Sequence, residues 1–389
     1  MVGRNSGSGM KVAYVSQFDP NDPVVAEGTL YQMGRALESA RLDVTRIGPL
    51  LAEAPLSTRL AKVWSTKVQK ASFSSDYHAG LLKVLSGQAE QALADCDPDV
   101  IVAADTLPLA YLRSDRPIAL WTTATFANKQ DIYPSYRGIP ESGVQDAHDA
   151  DRRAMARADA VIFTSQWAAD SAIQSYGVPE SKVHVVPPGA NIEPVMDRAD
   201  VAAAIAARSE VDCRLVYVSP SWERGQGSLA VDIARMLEQI GVSTTITIIG
   251  GEPPDGWPVP DFCTVEGFVD RSTAAGRAHY EELLSQAHFL VVPSASEAFG
   301  MVYAEGNCYG LPAIGCRVRG VPDVIRDGVN GMTFAPATKS VEYAEWIKGV
   351  FRQPERYQRL AEAAYKAYTT RLNWSTAGAQ VRDILDDIS

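Results

Sequence analysis

A chain of 389 residues, 46% of them hydrophobic, is long enough for two globular domains of about 150–200 residues each. A formal net charge of −11 excludes the basic surface that a nucleic-acid binder needs, and there is no apolar run of about 18 residues to span a membrane. The cysteines Cys96, Cys213, Cys263, Cys308 and Cys316 form no C-x-x-C pair and the histidines lack metal-ligand spacing, which points to a reduced, cytoplasmic protein without a structural metal.

The leader, residues 1–10, has no apolar core and is no secretory signal; it is expected to be disordered. Residues 11–16 (KVAYVS) read as a first buried strand, and residues 30–41 as a helix with Leu30, Met33 and Leu37 on one face. The long loop between them carries Pro20, Pro23 and Gly28, and its length marks it as functional. Gly28 and Thr29 at the helix start either meet a phosphate or an acceptor, or Thr29 simply caps the helix.

A second strand is expected at 43–50. Residues 57–73 carry Arg59, Lys62, Lys67 and Lys70 with no acid, among Leu60, Val63, Trp64 and Val68. This segment reads first as a solvated helix, and alternatively as a basic amphipathic contact with an anionic membrane face. Helices at 76–96, 142–158 and 166–176 then alternate with strands at 99–105, 117–123, 159–165 and 182–186. Such alternation predicts a doubly wound parallel sheet. Pro187, Pro188 and Gly189 mark a linker.

A second α/β run opens with the strand 214–219. The loop PSWERGQG (220–227) leads to a helix with Leu229, Ile233, Met236 and Ile240 on one face. Strands follow at 244–250 and 262–268, then a helix at 275–285. Residues 288–293 read as a strand, 300–309 as a helix and 311–316 as a returning strand. Gly310 suits the end of that helix and Pro312 forbids its continuation. Further helices are expected at 321–327, 341–350 and 354–372, and a last one from Trp374.

The chemistry concentrates between residues 291 and 320. Glu297 lies just before the helix, and Glu305 lies eight residues later, about a turn inside it. Helical side chains lean toward the N-terminus, so Glu305 can point back to the mouth that Glu297 borders. The amides of Phe299, Gly300 and Met301 lack intrahelical partners and suit a phosphate. Two carboxylates beside a phosphate site make sense as acceptors for sugar hydroxyls. The ligand implied is a nucleotide sugar.

The run Glu297-Ala-Phe-Gly, with Glu305 and then Gly310-Leu-Pro, resembles the E-x7-E signature of retaining GT-B glycosyltransferases of glycosyltransferase family 4, also called group 1. The resemblance extends from about Lys11 to Ser389. It implies two Rossmann-like domains with an interdomain cleft: an acceptor domain at 11–190, with the final helix 374–389 packing back on it, and a donor domain at 191–373. It implies a hexosyltransferase whose partners are a nucleotide sugar, UDP- before GDP-linked, and a hydroxyl-bearing acceptor. Neither a cofactor nor a metal is expected. By the same resemblance Glu305 holds the ribose and Glu297 orients the sugar. The amides at Phe299, Gly300 and Met301 meet the sugar or diphosphate, Gly28 and Thr29 face the diphosphate, and Ser219 borders the donor. The backbone at Gly267 and Val269 meets the base. Family members with lipid-linked acceptors often bind membranes through the first domain, which keeps a peripheral contact of residues 57–73 with the inner membrane face as the alternative to the solvated helix.

Two departures from the family pattern stand out. Relatives read W-E-R-K-G-G where this chain has Trp222-Glu223-Arg224-Gly225-Gln226-Gly227, so Gly225 replaces the usual Lys and Arg224 is the cation left to meet the diphosphate. The family His near the transferred sugar is absent, and Thr123 stands at a position where some relatives carry an acid. Thr123 cannot act as a general base, but front-side retaining chemistry does not require one. Arg317 and Arg319 are expected on a solvated face. Two rival readings remain: a non-catalytic nucleotide-sugar binder on the same fold, and an NAD-dependent oxidoreductase suggested by Gly225-Gln-Gly227-Ser-Leu-Ala230 with Glu252. The second is discounted because that glycine motif needs its tight turn directly after the strand.

Overall fold

The computed structural model describes residues 9–50, 77–133, 136, 138–192 and 196–389. The basic segment 57–73 and most of the leader lie outside the described residues. The chain divides into two units, Met1–Pro187 with Trp374–Ser389, and Pro188–Asn373.

The first unit is built on a six-stranded parallel sheet. Its elements are β1 (Lys11–Val15), α1 (Thr29–Ser39), β2 (Asp43–Ile47), α2 (Ala79–Cys96), β3 (Val100–Ala103), β4 (Ile118–Thr122), α3 (Phe126–Ile132), α4 (Glu141–Arg157), β5 (Ala160–Phe163), α5 (Gln166–Tyr176) and β6 (Val183–Val185). The strand order is β2-β1-β3-β4-β5-β6. Strands β3, β4 and β5 are buried along their whole length, as expected of short aliphatic runs covered on both faces. The edge strands β2 and β6 are only partly buried, and their sequences carry the polar residues Asp43, Thr45, Arg46 and His184.

The second unit holds α6 (Arg198–Ala207), β7 (Cys213–Ser219), α7 (Trp222–Gly225), α8 (Gly227–Gln239), β8 (Thr244–Gly250), β9 (Cys263–Gly267), α9 (Ala274–Gln286), β10 (Phe289–Val292), α10 (Met301–Cys308), β11 (Ala313–Cys316), α11 (Val321–Val324), β12 (Gly331–Phe334), α12 (Ser340–Phe351) and α13 (Pro354–Thr370). Its sheet is again parallel and six-stranded, in the order β12-β11-β10-β7-β8-β9. The chain winds out from β7 to β9 on one side, then returns to lay β10 against the other side of β7. The sheet's topological switch point is therefore the crevice beyond the carboxyl ends of β7 and β10, where open α/β sheets take ligands.

The last helix, α14 (Trp374–Ile388), belongs to the first unit. It packs on α1, buries Val381 and Leu385, and donates from Arg382 to the Ala40 carbonyl at 2.9 Å. Its Trp374 meets Trp121 of β4 edge-on at 6.2 Å. Burial of each aliphatic side chain contributes roughly 1.5–3 kcal/mol, enough to seat the helix.

The structure differs from the sequence expectations at a few elements. The helix expected at 321–327 stops at Val324, because Ile325 is extended. Strand β12 and helices α3 and α6 were not expected. β12 is a four-residue edge strand with only Gly331 and Thr333 buried, so it shows no apolar run. α6 is mostly alanine, with Val201 and Ile205 as its buried residues, and so shows little periodicity.

Candidate functional site

The site is assembled from the turn after β7 and the loop after β10. After Ser219, which is buried at 4% exposure, the chain makes the single helical turn α7. Ser221 starts that turn by accepting from the Arg224 N–H at 3.2 Å. Ser219 Oγ donates to the Ser221 carbonyl at 2.9 Å, so Ser219 braces the turn. Across the crevice, Ser294 Oγ donates to the Arg224 carbonyl at 2.7 Å and accepts from the Ser296 N–H at 3.2 Å. One buried hydroxyl thus ties the Arg224 turn to the loop that carries Glu297.

Arg224 is half-buried, and its Nε is enclosed with no hydrogen-bond partner among the described residues. A buried, unpartnered donor on a cation is costly and calls for an anion. Two further donors stand close by in sequence to Glu297. Phe299 and Gly300 precede α10, and their N–H groups have no acceptor among the described residues. Gly300 is the N-cap of α10 at φ 83°, a left-handed conformation that glycine takes freely. A Cβ there would overlap the Tyr303 ring, so the bare backbone is required by packing as well as conformation. Met301 opens the helix and its Sδ takes the Asn191 amide at 3.8 Å.

Glu297 is half-buried beside two phenols. Burial first, and then the Glu297 charge, push the Tyr217 hydroxyl up to about 12; the same two causes raise Tyr303 far above its ordinary value. Both therefore remain donors, and Tyr303 closes onto the Val292 carbonyl at 2.7 Å. Glu305 is 6% exposed and accepts on Oε2 from Tyr280 Oη at 2.8 Å and from Arg271 Nη1 at 3.1 Å. Its helix is pinned by a buried amide pair. Asn307 donates to the Leu311 carbonyl at 2.9 Å and accepts from Asn330 at 2.6 Å.

The departure at Gly225 has a packing cause. A Cβ at this position would overlap the Tyr217 hydroxyl and the Ser219 side chain. At Gly227 a Cβ would strike the Trp222 ring. These glycines admit their own neighbours' side chains. They do not make the tight turn after a strand that a dinucleotide pyrophosphate requires, since α7 intervenes. Glu252, the acid of that rival reading, lies with Oε1 against Gly267. Gly267 itself is in the left-handed region at φ 66° and ends β9, with Val269 two residues on.

Of the two arginines expected on a solvated face, Arg317 is exposed as expected and Arg319 is half-buried. Arg317 pairs with Asp327 at 2.5 Å, and Arg319 donates to the Ala295 carbonyl at 2.8 Å, which braces the Glu297 loop.

Gly28, Thr29 and Thr123 belong to the first unit. Thr29 does not cap α1, because the N-cap is Gly28 at φ 81° and Thr29 is already the first helical residue, buried at 7% exposure. Ala26 and Glu27 before it are also left-handed, which costs about 1–2 kcal/mol per residue for non-glycine positions. Thr123 is exposed just past β4, and its carbonyl accepts from Thr164 Oγ1 at 3.3 Å. Tyr280, Arg271 and Asn307 escaped the sequence reading. No local motif marks them, since each acts on a partner from another segment or by a buried side-chain bond.

A doubly wound parallel sheet with a half-buried arginine and a glycine-opened helix at its switch point places the protein among the open α/β proteins that take ligands there. Comparison with known proteins narrows this. Residues 271–367 match the model of "Glycosyl transferases group 1" and residues 26–194 that of "Glycosyltransferase Family 4". The chain belongs to this glycosyltransferase family, group 1 of family 4.

Among curated relatives, a D-inositol 3-phosphate glycosyltransferase of Xylanimonas cellulosilytica is 25% identical over 288 residues, covering 71% of this chain and 67% of the relative. Its counterpart in Streptomyces bingchenggensis is 25% identical, covering 73% and 62%. The chain spans only 54% and 51% of two further relatives of the same name. Among solved structures, sucrose-phosphate synthase from Thermosynechococcus elongatus superposes with a TM-score of 0.65 at 16% identity, over 97% of this chain and 98% of that one. Anabaena HepE, solved in complex with UDP-glucose, gives 0.60 at 18% identity, over 97% and 100%. These likenesses show the GT-B fold.

Proposed function

We propose that the protein is a retaining hexosyltransferase that moves a hexose from a nucleotide-diphosphate sugar to an acceptor hydroxyl. The observation that carries this reading is the enclosed Arg224 Nε, unpartnered among the described residues, at the switch point that also holds Glu297 and the open amides of Phe299 and Gly300. In the reaction the anomeric C–O bond to the diphosphate breaks and a bond to the acceptor oxygen forms on the same face. The leaving phosphate oxygen takes the acceptor proton. Arg224 and the α10 amides stabilise the charge that grows on the diphosphate. Glu297 orients the sugar hydroxyls, and Glu305 accepts from the ribose. Gly28, Thr29 and Thr123 are assigned to the acceptor and diphosphate side of the reaction. A uridine nucleotide is favoured because HepE, of the same fold, was solved with UDP-glucose. Charge stabilisation by Arg224 and the amides needs no metal.

The test is a panel of UDP- and GDP-sugars, with and without a chelator, read as free nucleotide released, first alone and then with polyol and polyol-phosphate acceptors. Release from one donor, retained with chelator and lost in Glu305→Ala, supports the reading. Binding of one donor without release under any acceptor favours the non-catalytic reading, which the filled Gly225 position and the exposed Thr123 motivate. No donor bound or hydrolysed removes both.

A further inference from the structure

The Glu305 carboxylate is anchored through one oxygen only. Tyr280 on α9 and Arg271 in the loop after β9 both donate to Oε2, at 2.8 Å and 3.1 Å. The Arg271 guanidinium also lies over the Tyr280 ring, 5.0 Å from its centroid, so the two donors support each other. Tyr280 is 3% exposed and burial raises its phenol far above the ordinary range, so it stays protonated and donating. Among the described residues Oε1 accepts no hydrogen bond.

This division has a physical consequence. The terminal torsion of a glutamate is broad and nearly two-fold, so an unsupported carboxylate presents either oxygen in a range of orientations. Two donors converging on Oε2 fix that torsion. They also leave Oε1 with its lone pairs uncommitted, on a residue only 6% exposed, where a ligand hydroxyl can take the place of water. A group that donates from a hydroxyl is the natural complement, and a vicinal ribose diol provides two.

We infer that Tyr280 and Arg271 are positioning residues that lock Glu305 by its Oε2 and reserve Oε1 for the ribose hydroxyls, so that the site selects ribonucleotides over 2′-deoxyribonucleotides. The inference rests on the reading of Glu305 as the ribose acceptor. Tyr280 acts through Glu305 and touches no ligand. Its removal therefore weakens the hydroxyl-dependent part of binding and leaves the diphosphate contacts in place.

The experiment is calorimetric titration of the full chain with UDP and GDP and with the 2′-deoxy counterpart of each, for the wild type, Tyr280→Phe, Arg271→Met and Glu305→Ala. The wild type is expected to prefer one ribonucleotide over its 2′-deoxy form by about tenfold or more. Glu305→Ala removes the preference. Tyr280→Phe keeps the ring and its packing, and lowers the preference about fivefold while the 2′-deoxy affinity stays within about twofold. Arg271→Met does the same from the exposed side, and serves as the test if Tyr280→Phe fails to fold. Equal weakening of both nucleotides in these two variants, with the preference intact, overturns the inference and leaves the reading of Glu305 standing. A wild type that binds neither nucleotide, or binds without preference, overturns that reading and the inference together.

Discussion

Ser294 Oγ donates to the Arg224 carbonyl at 2.7 Å, which joins the turn after β7 to the loop after β10. Ser294 is fully buried, so its hydroxyl has no competing water. Ser294→Ala leaves a shielded carbonyl without its donor, which costs about 1–3 kcal/mol of stability. The Arg224 turn then loses its tie to the Glu297 loop, and binding of the donor proposed above is expected to weaken roughly 3- to 10-fold, a loss on the order of one hydrogen bond. Calorimetry beside a melting curve checks this. A lowered melting temperature with unchanged affinity confines Ser294 to a folding role.

Arg224 is where stability and function pull apart. Its enclosed Nε, without a partner among the described residues, is a cost to the fold that only an anionic ligand offsets. Arg224→Met keeps the apolar stem and removes that buried donor. The variant is expected to melt at the same temperature or a few degrees higher, while nucleotide release falls by about 10²-fold, as for loss of one oxyanion donor. Arg224→Lys restores charge but not the planar fork, and is expected to recover only part of the rate. A variant that melts lower and turns over normally would place the guanidinium in the fold rather than the reaction.

The family lysine cannot simply be reinstated. The space beside Gly225 is taken by Tyr217 and Ser219, both part of the buried end of β7. Gly225→Lys forces those side chains or the turn to move, and overpacking of this kind costs about 1–3 kcal/mol. The expected outcome is a lower melting temperature and no gain in donor hydrolysis. Adding Tyr217→Phe to Gly225→Lys removes the closest clashing atom and is expected to recover part of the lost stability. A gain in turnover from the single variant would show that Gly225 is a catalytic loss and not a packing choice.

The sheets were legible in the sequence because short aliphatic runs such as VIVA and FLVV become central strands buried on both faces, and because each is separated by a helix-length segment. Glu297, Gly300 and Glu305 were legible for a similar reason: all three act within one loop and helix, where spacing along the chain is spacing in the site. What the sequence hid is tertiary. Tyr280 and Arg271 reach Glu305 from 25 and 34 residues away, and no local pattern marks either. The same holds for Arg319, whose charge suggested solvent but whose hydrogen bond braces the loop before Glu297. Gly225 and Gly227 looked like phosphate glycines, and only packing shows that they make room for Tyr217 and Trp222.

His288 sets an acid limit on the second unit. It precedes β10, accepts on Nδ1 from the Arg214 N–H at 3.0 Å, and donates from Nε2 to the Ser209 carbonyl at 2.7 Å. Both bonds are made by the neutral ring. Burial, with Arg208 and Arg214 nearby, lowers its pKa from the usual 6.5 to about 4. The unfolded chain therefore binds a proton between about pH 6.5 and pH 4 that the native state refuses, so stability is full above pH 6.5 and declines as pH falls through that window. By pH 5 the loss from this residue is about 2 kcal/mol, at 1.4 kcal/mol per pH unit. Melting curves from pH 7 to pH 4.5 are expected to show the decline, with a shallower slope in His288→Gln on a lower baseline, since the amide does not titrate but loses the ring's packing on Phe351 and Tyr357. Equal slopes in the two proteins would assign the acid sensitivity to other groups.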